Sequence, residues 1–540
     1  MSKLILSGDE ARQKLIKGVN TVADVVKSTL GPKGRNVIIK KNGTAPLITN
    51  DGATIAKEIS LKDEFEDVGA QLVINASSKT NKEAGDGTTT TAILTQSLIN
   101  EGMKEIEKGV DPIDLRKGMN YAAKELIKLL KDESKEISSD EDIRKIATIS
   151  SGNDEIGSLI AEAYSKIGKN GAITTEESKT NKTTIEIKDG YRLYKGMVSP
   201  YLFDQGKTTI DITDAAILVT SSKVDNIQLI APVLNEIAQQ GGKLVIFAES
   251  FSSQIIDLLV VNHLRGLQVF AVEASGYGAG KIDTLSDIAV ITGATFFNQD
   301  KGLDYKTATI NDLGMAKQVK INSDIETLVI GGMGEPEEIE NRVQEVKDLL
   351  NDKNLTENDI TRINNRIANL SNGIAVISVG SSSNVELEEL KLRLEDALCS
   401  VKSSLEEGIV PGAGSTFIRI AQKYIKENEN VSCDSGFYAG EKIVLDSVKS
   451  LLGQILKNAD YSDNKIEEII SKVKEGNELY NLESEIFENI ENALVFDPTK
   501  VERVSLETAV SIASTVLTSD SIITEEPEDK TQFVMQAPIA

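Results

Sequence analysis

The stretch from Glu83 to Leu94 reads EAGDGTTTTAIL: four threonines follow Gly-Asp-Gly, and an apolar helical pattern follows the threonines. Threonine suits a helix interior poorly, because its branched Cβ restricts χ1 against the preceding turn. At a helix N-terminus the balance is different. The first amides there have no intrahelical partner, and the helix dipole favours an anion. Gly85 and Gly87 let the backbone approach a ligand closely, and the hydroxyls of Thr88–Thr91 add donors and acceptors in the first turn. Asp86 supplies a hard oxygen suited to Mg²⁺, which proteins usually hold with one or two carboxylates plus substrate phosphates. The stretch reads as a phosphate cradle with its own metal ligand. The same letters also suit an N-cap aspartate followed by a polar first turn.

Two further glycine turns bear on this chemistry. TLGPKGRN, from Thr29 to Asn36, could bring more amides to the same phosphates, although Gly-Pro by itself marks a helix stop. GYGAGK, from Gly276 to Lys281, fails as a P-loop. The leading glycine is replaced by Ser275, and Ile282 stands where Ser or Thr must follow the lysine. The single histidine, His263, and the two cysteines, Cys399 and Cys433, leave little for a zinc site or a Ser-His-Asp arrangement. His263 reads as a helix-surface or packing residue. Catalysis must rest on carboxylates, hydroxyls, main-chain amides and a hard metal.

The elements that must position these groups are partly legible. Leu15, Val19, Val22, Ala23, Val26 and Leu30 recur at helical spacing and stop at Gly31-Pro32. NVIIKKNGTAPLI reads as two short strands around Asn42-Gly43, and helical patterns then run to about Lys131. From Ala215 to Ala294, β-rich runs alternate with helical stretches, as in an α/β domain with parallel strands. Residues 335–371 read as a solvated, highly charged helical hairpin. GIAVISVG (373–380) is one more strand, and a long helix runs from Val385 to Glu407, ended by Gly408. EEPEDKTQFVMQAPIA closes the sequence as an exposed tail.

The 540 residues allow several domains. A net charge of −25 argues against nucleic acid or an anionic membrane as partner. No apolar run approaches the ~18 residues of a membrane span, and MSKLILSGDEAR lacks the pattern of a signal peptide. Two unpaired-looking cysteines fit the cytoplasm or another reducing compartment.

Several long motifs stand in order: TLGPKGRNV, TNDGATIAKEI, AGDGTTTTAIL, GMVSPYL, LEDALCSVKSSLEEGIVPGAG, YNLES and FDPTKV. In sequence and separation the chain resembles the group I chaperonins, the GroEL type, over about residues 2–523. The resemblance implies a mixed α and α/β multidomain fold. A mainly helical equatorial ATP-binding domain would take 1–134 and 408–523, and a small intermediate hinge domain 135–189 and 374–407. An α/β apical client-binding domain would take 190–373, with 524–540 a flexible tail. It implies an ATP-hydrolysing homo-oligomeric ring, usually sevenfold, that binds non-native proteins, with Mg²⁺ and K⁺ as ions and a GroES-type co-chaperonin as partner. Asp86 takes the metal role, and Gly87, Thr88, Thr89 and Thr90 the phosphate role. Thr29, Leu30, Gly31 and Pro32 match the first nucleotide loop. Asn481 and Asp497 match adenosine-side contacts, and Asp51 and Asp396 match carboxylates beside the attacking water. Clients would meet Met197, Tyr201, Leu202, Ala231, Leu234, Ile256, Val260 and Val261.

The chain also departs from the family pattern. Asn50 stands where lysine is common, leaving its main-chain carbonyl for a nucleotide contact. The family's triple glycine is Gly412-Ala413-Gly414, which places a methyl beside the nucleoside. Ala231 is smaller than expected, and the Gly-Gly-Met tail is missing. In the segments that join two rings, Gly453 replaces an arginine and Tyr461-Ser462 a glutamate pair. Glu107 and Lys108 replace small apolar residues. These changes point to a single ring or a weak double ring. A divergent ring that holds unfolded chains with little ATP turnover is the alternative. A small-molecule ATPase on an unrelated fold is a third reading.

Overall fold

The computed structural model describes residues 3–525 except 41–45, 138, 170, 179, 204–206, 227, 229, 277, 324–325, 352–355, 372, 429–435 and 491–494. The Asn42-Gly43 turn, Cys433 and residues 526–540 therefore lie outside the described residues. The chain forms two compact units, one of residues 1–161 with 388–540 and one of residues 162–387. The segments expected as an intermediate domain are shared between them: 135–161 and 388–407 join the first unit, 162–189 and 374–387 the second.

The first unit is mainly helical. Helices Gly8–Val26, Glu64–Ala84, Thr88–Glu107, Pro112–Glu133, Gly436–Ser447 and Thr499–Thr518 surround a core that includes Val19, Val22, Leu94, Leu98, Met119, Leu126, Leu506 and Val510. The first two of these helices touch backbone to backbone. A Cβ on Gly18 would lie 1.8 Å from the Glu66 carbonyl, and one on Gly69 2.1 Å from the Leu15 carbonyl. Only hydrogen fits at either crossing, and the contact fixes the helix that delivers Gly85 and Asp86. Strands Val37–Ile39 and Leu47–Thr49 pair antiparallel, as the hairpin reading required. Ile409–Pro411 pairs with Phe496–Pro498, setting Asp497 opposite Val410.

Other strands escape sequence reading. Lys3–Ser7 pairs antiparallel with Ser521–Glu525. Thr524 and Glu525, expected in the tail, are thus the end of a strand.

In the second unit the largest sheet runs in the order Gly190–Leu193, Glu326–Gly332, Gly314–Asn322, Thr209–Val224, Lys243–Phe251, Val269–Glu273. Thr209–Val224, Lys243–Phe251 and Val269–Glu273 are parallel, as expected, whereas the fourth β-rich run, IAVITG (288–293), is the end of the helix Ala279–Thr292. The other three strands extend the sheet antiparallel. Ile374–Val379 lies in a second sheet, parallel to Ala172–Glu177 and antiparallel to Thr184–Lys188.

The charged hairpin, Pro336–Asp348 with Glu357–Ser371, is less solvated than its composition implies. Val346, Ile363 and Leu370 are buried in the core of this unit. Arg342 and Arg366 reach Asp287, which has no exposed surface, at 2.8 and 2.7 Å. A buried carboxylate needs such partners, so part of the charge faces inward. His263 packs edge-on against Phe270, with ring centroids 5.5 Å apart.

Candidate functional site

The Glu64–Ala84 helix ends at Gly85 (φ +76°), and Gly87 (φ +87°) opens the helix Thr88–Glu107. Both angles lie in the left-handed region that glycine tolerates. A Cβ on Gly85 would also stand 2.5 Å from Cβ of Cys399. Asp86, between the glycines, accepts from the Gly87 amide at 2.6 Å and from Ser400 Oγ at 2.9 Å. Gly87 brings no capping side chain to the helix start. The four threonines divide their tasks. Thr88, Thr89 and Thr90 line a cavity. Thr91 turns inward, 2.9 Å from both Thr80 Oγ1 and the Gly87 carbonyl.

Asp51 caps the short helix Gly52–Lys57, accepting from the amides of Ala53 (3.1 Å) and Thr54 (2.8 Å). A Cβ on Gly52 would lie 2.4 Å from Thr89 Oγ1, so glycine lets the two loops meet. Asp396 lies on the helix Asn384–Glu407, whose buried stripe includes Leu394, Ala397 and Val401. Burial lifts its carboxyl well above the usual carboxylate range, and Asp86 and Asp51 lift it further. Burial also raises Asp86, against the bonds from Gly87 and Ser400, and Asp51 adds to the rise. Three carboxylates thus share one site. Burial first, then these acids, pushes the Cys399 thiol to about 12, which makes it a poor nucleophile.

The cavity measures about 1160 Å³, somewhat above the ~300–1,000 Å³ of small-molecule sites. It is lined by Thr29, Leu30, Gly31, Pro32, Asn50, Asp51, Asp86, Gly87, Thr88, Thr89, Thr90, Asp396, Ala413, Asn481 and Asp497. Gly412 alone of the expected nucleotide residues stands behind this wall, buried where a Cβ would meet Asp497 Oδ1 at 2.9 Å. Ala413 has φ +58°, a conformation that costs a non-glycine residue roughly 1–2 kcal/mol. Burial pushes Asp497 up to about 6, and Asp86 adds to the rise. Asn481 spends its amide within its own hairpin. It donates to Glu488 at 2.7 Å and accepts from Glu483 at 2.9 Å.

The expected client residues fall at different depths in the second unit. Tyr201 (74% exposed) and Val261 (44%) reach the surface, while Ala231, Ile256 and Val260 are half-buried. Met197, Leu202 and Leu234 are core residues, 6%, 0% and 7% exposed, and offer no surface. The helix Ser253–Leu264 is apolar on nearly every side, so its sequence cannot say which side is inward. The inward residues are Ile255 and Leu259. Leu258 and Leu264, absent from the expected set, are exposed beside Val261 at a spacing of three.

The sequence pattern of the TCP-1/cpn60 chaperonin family matches residues 22–527. The chain belongs to this family. Among solved structures it is similar to the chaperonin gp146 from the bacteriophage EL 2 (Pseudomonas aeruginosa), crystallised in the presence of ATP-BeFx. One crystal form gives a TM-score of 0.71 at 20% identity, covering 97% of this chain and 100% of that one. A second gives 0.65 at 21% identity, covering 97% and 99%. At such identity the likeness is one of fold.

In this chaperonin several residues at or beside the cavity carry no assignment from the sequence. Ser400 follows Asp396 by four, the helical spacing that shares a face, and that signal was available. Glu502 sits on the first turn after Asp497. Arg144 and Lys145, on the helix Asp140–Ser151, also line the cavity. Nothing local marks them, because the contact is set by tertiary structure.

Proposed function

We propose that this chaperonin binds Mg-ATP in the carboxylate cavity, hydrolyses it, and uses the cycle to bind and release non-native proteins. The observation that carries the reading is the convergence of Asp86, Asp51 and Asp396 at the uncapped start of the Thr88–Glu107 helix. Among the described residues no three acidic, histidine or cysteine side chains form a metal cage. The donor set fits Mg²⁺ nonetheless: Asp86 offers a hard oxygen, and phosphate oxygens complete the shell. Burial first, and then repulsion from the neighbouring acids, lifts Asp86 and Asp396, and a divalent cation offsets that repulsion. When bound, Mg²⁺ supplies charge neutralisation on the transferring phosphate.

The rest falls to the chain. Amides and hydroxyls of Thr88, Thr89 and Thr90 take phosphate oxygens, and the loop Thr29–Pro32 closes over them. Asp497 faces the nucleoside. Asp396, held above the ordinary carboxylate range, is suited to take a proton from water near neutral pH. Asp51, fixed by two amides of its own helix, orients that water. In the second unit Tyr201, Val261, Leu258 and Leu264 offer the apolar surface for clients. The phage chaperonin's crystallisation with ATP-BeFx supports the nucleotide reading.

Nucleotide affinity and steady-state hydrolysis test the roles. Asp396→Ala should keep ATP binding and slow turnover by ~10²-fold. Asp86→Ala should weaken Mg-ATP binding instead. Wild-type turnover in Asp396→Ala would remove the assignment.

A further inference from the structure

The loop Thr29–Pro32 faces the cavity mainly with its backbone, and its own hydrogen bonds fix it only in part. After the turn Lys27–Thr29, Leu30 is extended (φ −71°, ψ 135°) and Gly31 takes φ +82°. The Leu30 amide donates to the Lys27 carbonyl at a long 3.3 Å. Further on, the amides of Gly34 and Arg35 donate to the Gly31 and Ser28 carbonyls at 2.9 Å each. The Gly31 amide has no hydrogen-bond partner among the described residues. Behind the loop stands the helix Ser450–Asn458. A Cβ on Gly31 would lie 3.1 Å from Cγ2 of Ile455. Asn458, half-buried at the end of that helix, reaches the loop itself. Its Nδ2 donates to the Lys27 and Leu30 carbonyls, at 2.9 Å each. Its Oδ1 accepts from Gln454 Nε2, one helical turn earlier, at 2.7 Å. Carbonyl oxygens only accept, so the side-chain nitrogen must face the loop, and both of its N–H groups are spent there.

We propose that Asn458 is a positioning residue for the nucleotide: by holding the Leu30 carbonyl it presents the Gly31 amide to a phosphate oxygen. A trans peptide sets its C=O and N–H on opposite sides. The Leu30–Gly31 peptide is tied by its oxygen to Asn458, so its N–H turns away from that side chain and stays open as a donor on the cavity wall. The two bonds order the loop before any ligand arrives. Without them the nucleotide itself must order the loop, and that cost comes out of its affinity. Asn458 touches none of the carboxylates assigned to the reaction, so its effect belongs to binding and not to turnover. The inference rests on the nucleotide reading of the cavity.

The test measures ATP affinity and turnover at saturating ATP for wild type, Asn458→Ala and Asn458→Asp, with hydrogen exchange of the loop amides followed beside them. Alanine keeps the helix. Aspartate keeps the shape and the bond from Gln454 but has no N–H to give. Both variants should bind ATP about tenfold more weakly, the net worth of two hydrogen bonds, and turn it over at the wild-type rate once saturated. Without nucleotide, the Gly34 and Arg35 amides should exchange faster in both variants than in wild type, and ATP should restore their protection. Unchanged ATP affinity in the two variants overturns the inference, as does unchanged exchange of the loop. A fall in saturated turnover as large as the fall in affinity also overturns it. So does unfolding of both variants, which would make Asn458 a support of the fold alone. A wild type that binds no ATP overturns the nucleotide reading itself, whereas wild-type binding with insensitive variants overturns only the role of Asn458.

Discussion

Asp396, Asp86 and Asp51 face one cavity, and burial with mutual repulsion lifts the first two above their ordinary range. An acid raised in this way binds more protons folded than unfolded at any pH between its two pKa values. Its contribution to stability is therefore lost as pH rises from the unfolded value near 3.9 towards the folded one. Asn at position 396 cannot ionise. The stability of Asp396→Asn minus that of wild type, both free of nucleotide, should be small near pH 4 and grow towards pH 7. Thermal unfolding across that range checks it, and a difference that ignores pH contradicts the carboxylate cluster. Saturating Mg²⁺ should narrow the gap by stabilising wild type. At the residue scale Gly-Asp-Gly-Thr reads as a phosphate cradle or as an N-cap aspartate with a polar first turn, and Asp51, Asp396, Asn481 and Asp497 come from the resemblance to the chaperonins rather than from local chemistry. Glu502 and Lys145 were not legible, since neither shows in a sequence window what the fold sets beside it.

At the scale of elements, sequence reading succeeded where periodicity is one-sided. The first helix, the Val37–Thr49 hairpin strands and the long helix ending at Gly408 (φ +81°) all form as their patterns require. It was weaker where both faces of an element are apolar or where partners come from far along the chain. The pairing of Lys3–Ser7 with Ser521–Glu525 is the extreme case. The Ser253–Leu264 helix shows the first difficulty, and it carries a consequence for clients. Val261→Ser and Tyr201→Glu change exposed side chains, so they should abolish capture of a denatured protein while leaving basal ATPase and folding largely intact. Burying one such side chain is worth ~1.5–3 kcal/mol, and the proposed ring would repeat it. Leu234→Ser, by contrast, should destabilise the second unit, because Leu234 is only 7% exposed. Light scattering of a denatured client with each variant, beside its thermal unfolding, separates the two effects. Retained capture in Val261→Ser and Tyr201→Glu would contradict the assigned surface.

For the whole molecule, the proposed ring assembly bears on how two such rings would meet. Gly453 is half-buried, with room for an added Cβ, which would come no closer than 3.9 Å to Ile466 and Ile470. Tyr461 is tied to its own subunit, its hydroxyl 3.0 Å from that of Tyr480. Glu107 and Lys108 are exposed. An exposed ion pair is worth only ~0–1 kcal/mol, yet its absence from every subunit of a sevenfold ring could total ~2–7 kcal/mol. Burying Glu107 and Lys108 between rings would add a desolvation cost. A single ring, or a double ring that separates during the ATP cycle, is expected. Mass photometry across salt and nucleotide conditions checks this, and a double ring that persists at low protein concentration contradicts it. The claim that unites the scales is that ATP turnover and client binding are coupled. The most direct measurement is Mg-ATPase activity titrated with a denatured protein, with client release followed in the same sample. Expected is turnover that changes with client and client that leaves on addition of ATP. Client held tightly with no turnover, and unaffected by ATP, would contradict it.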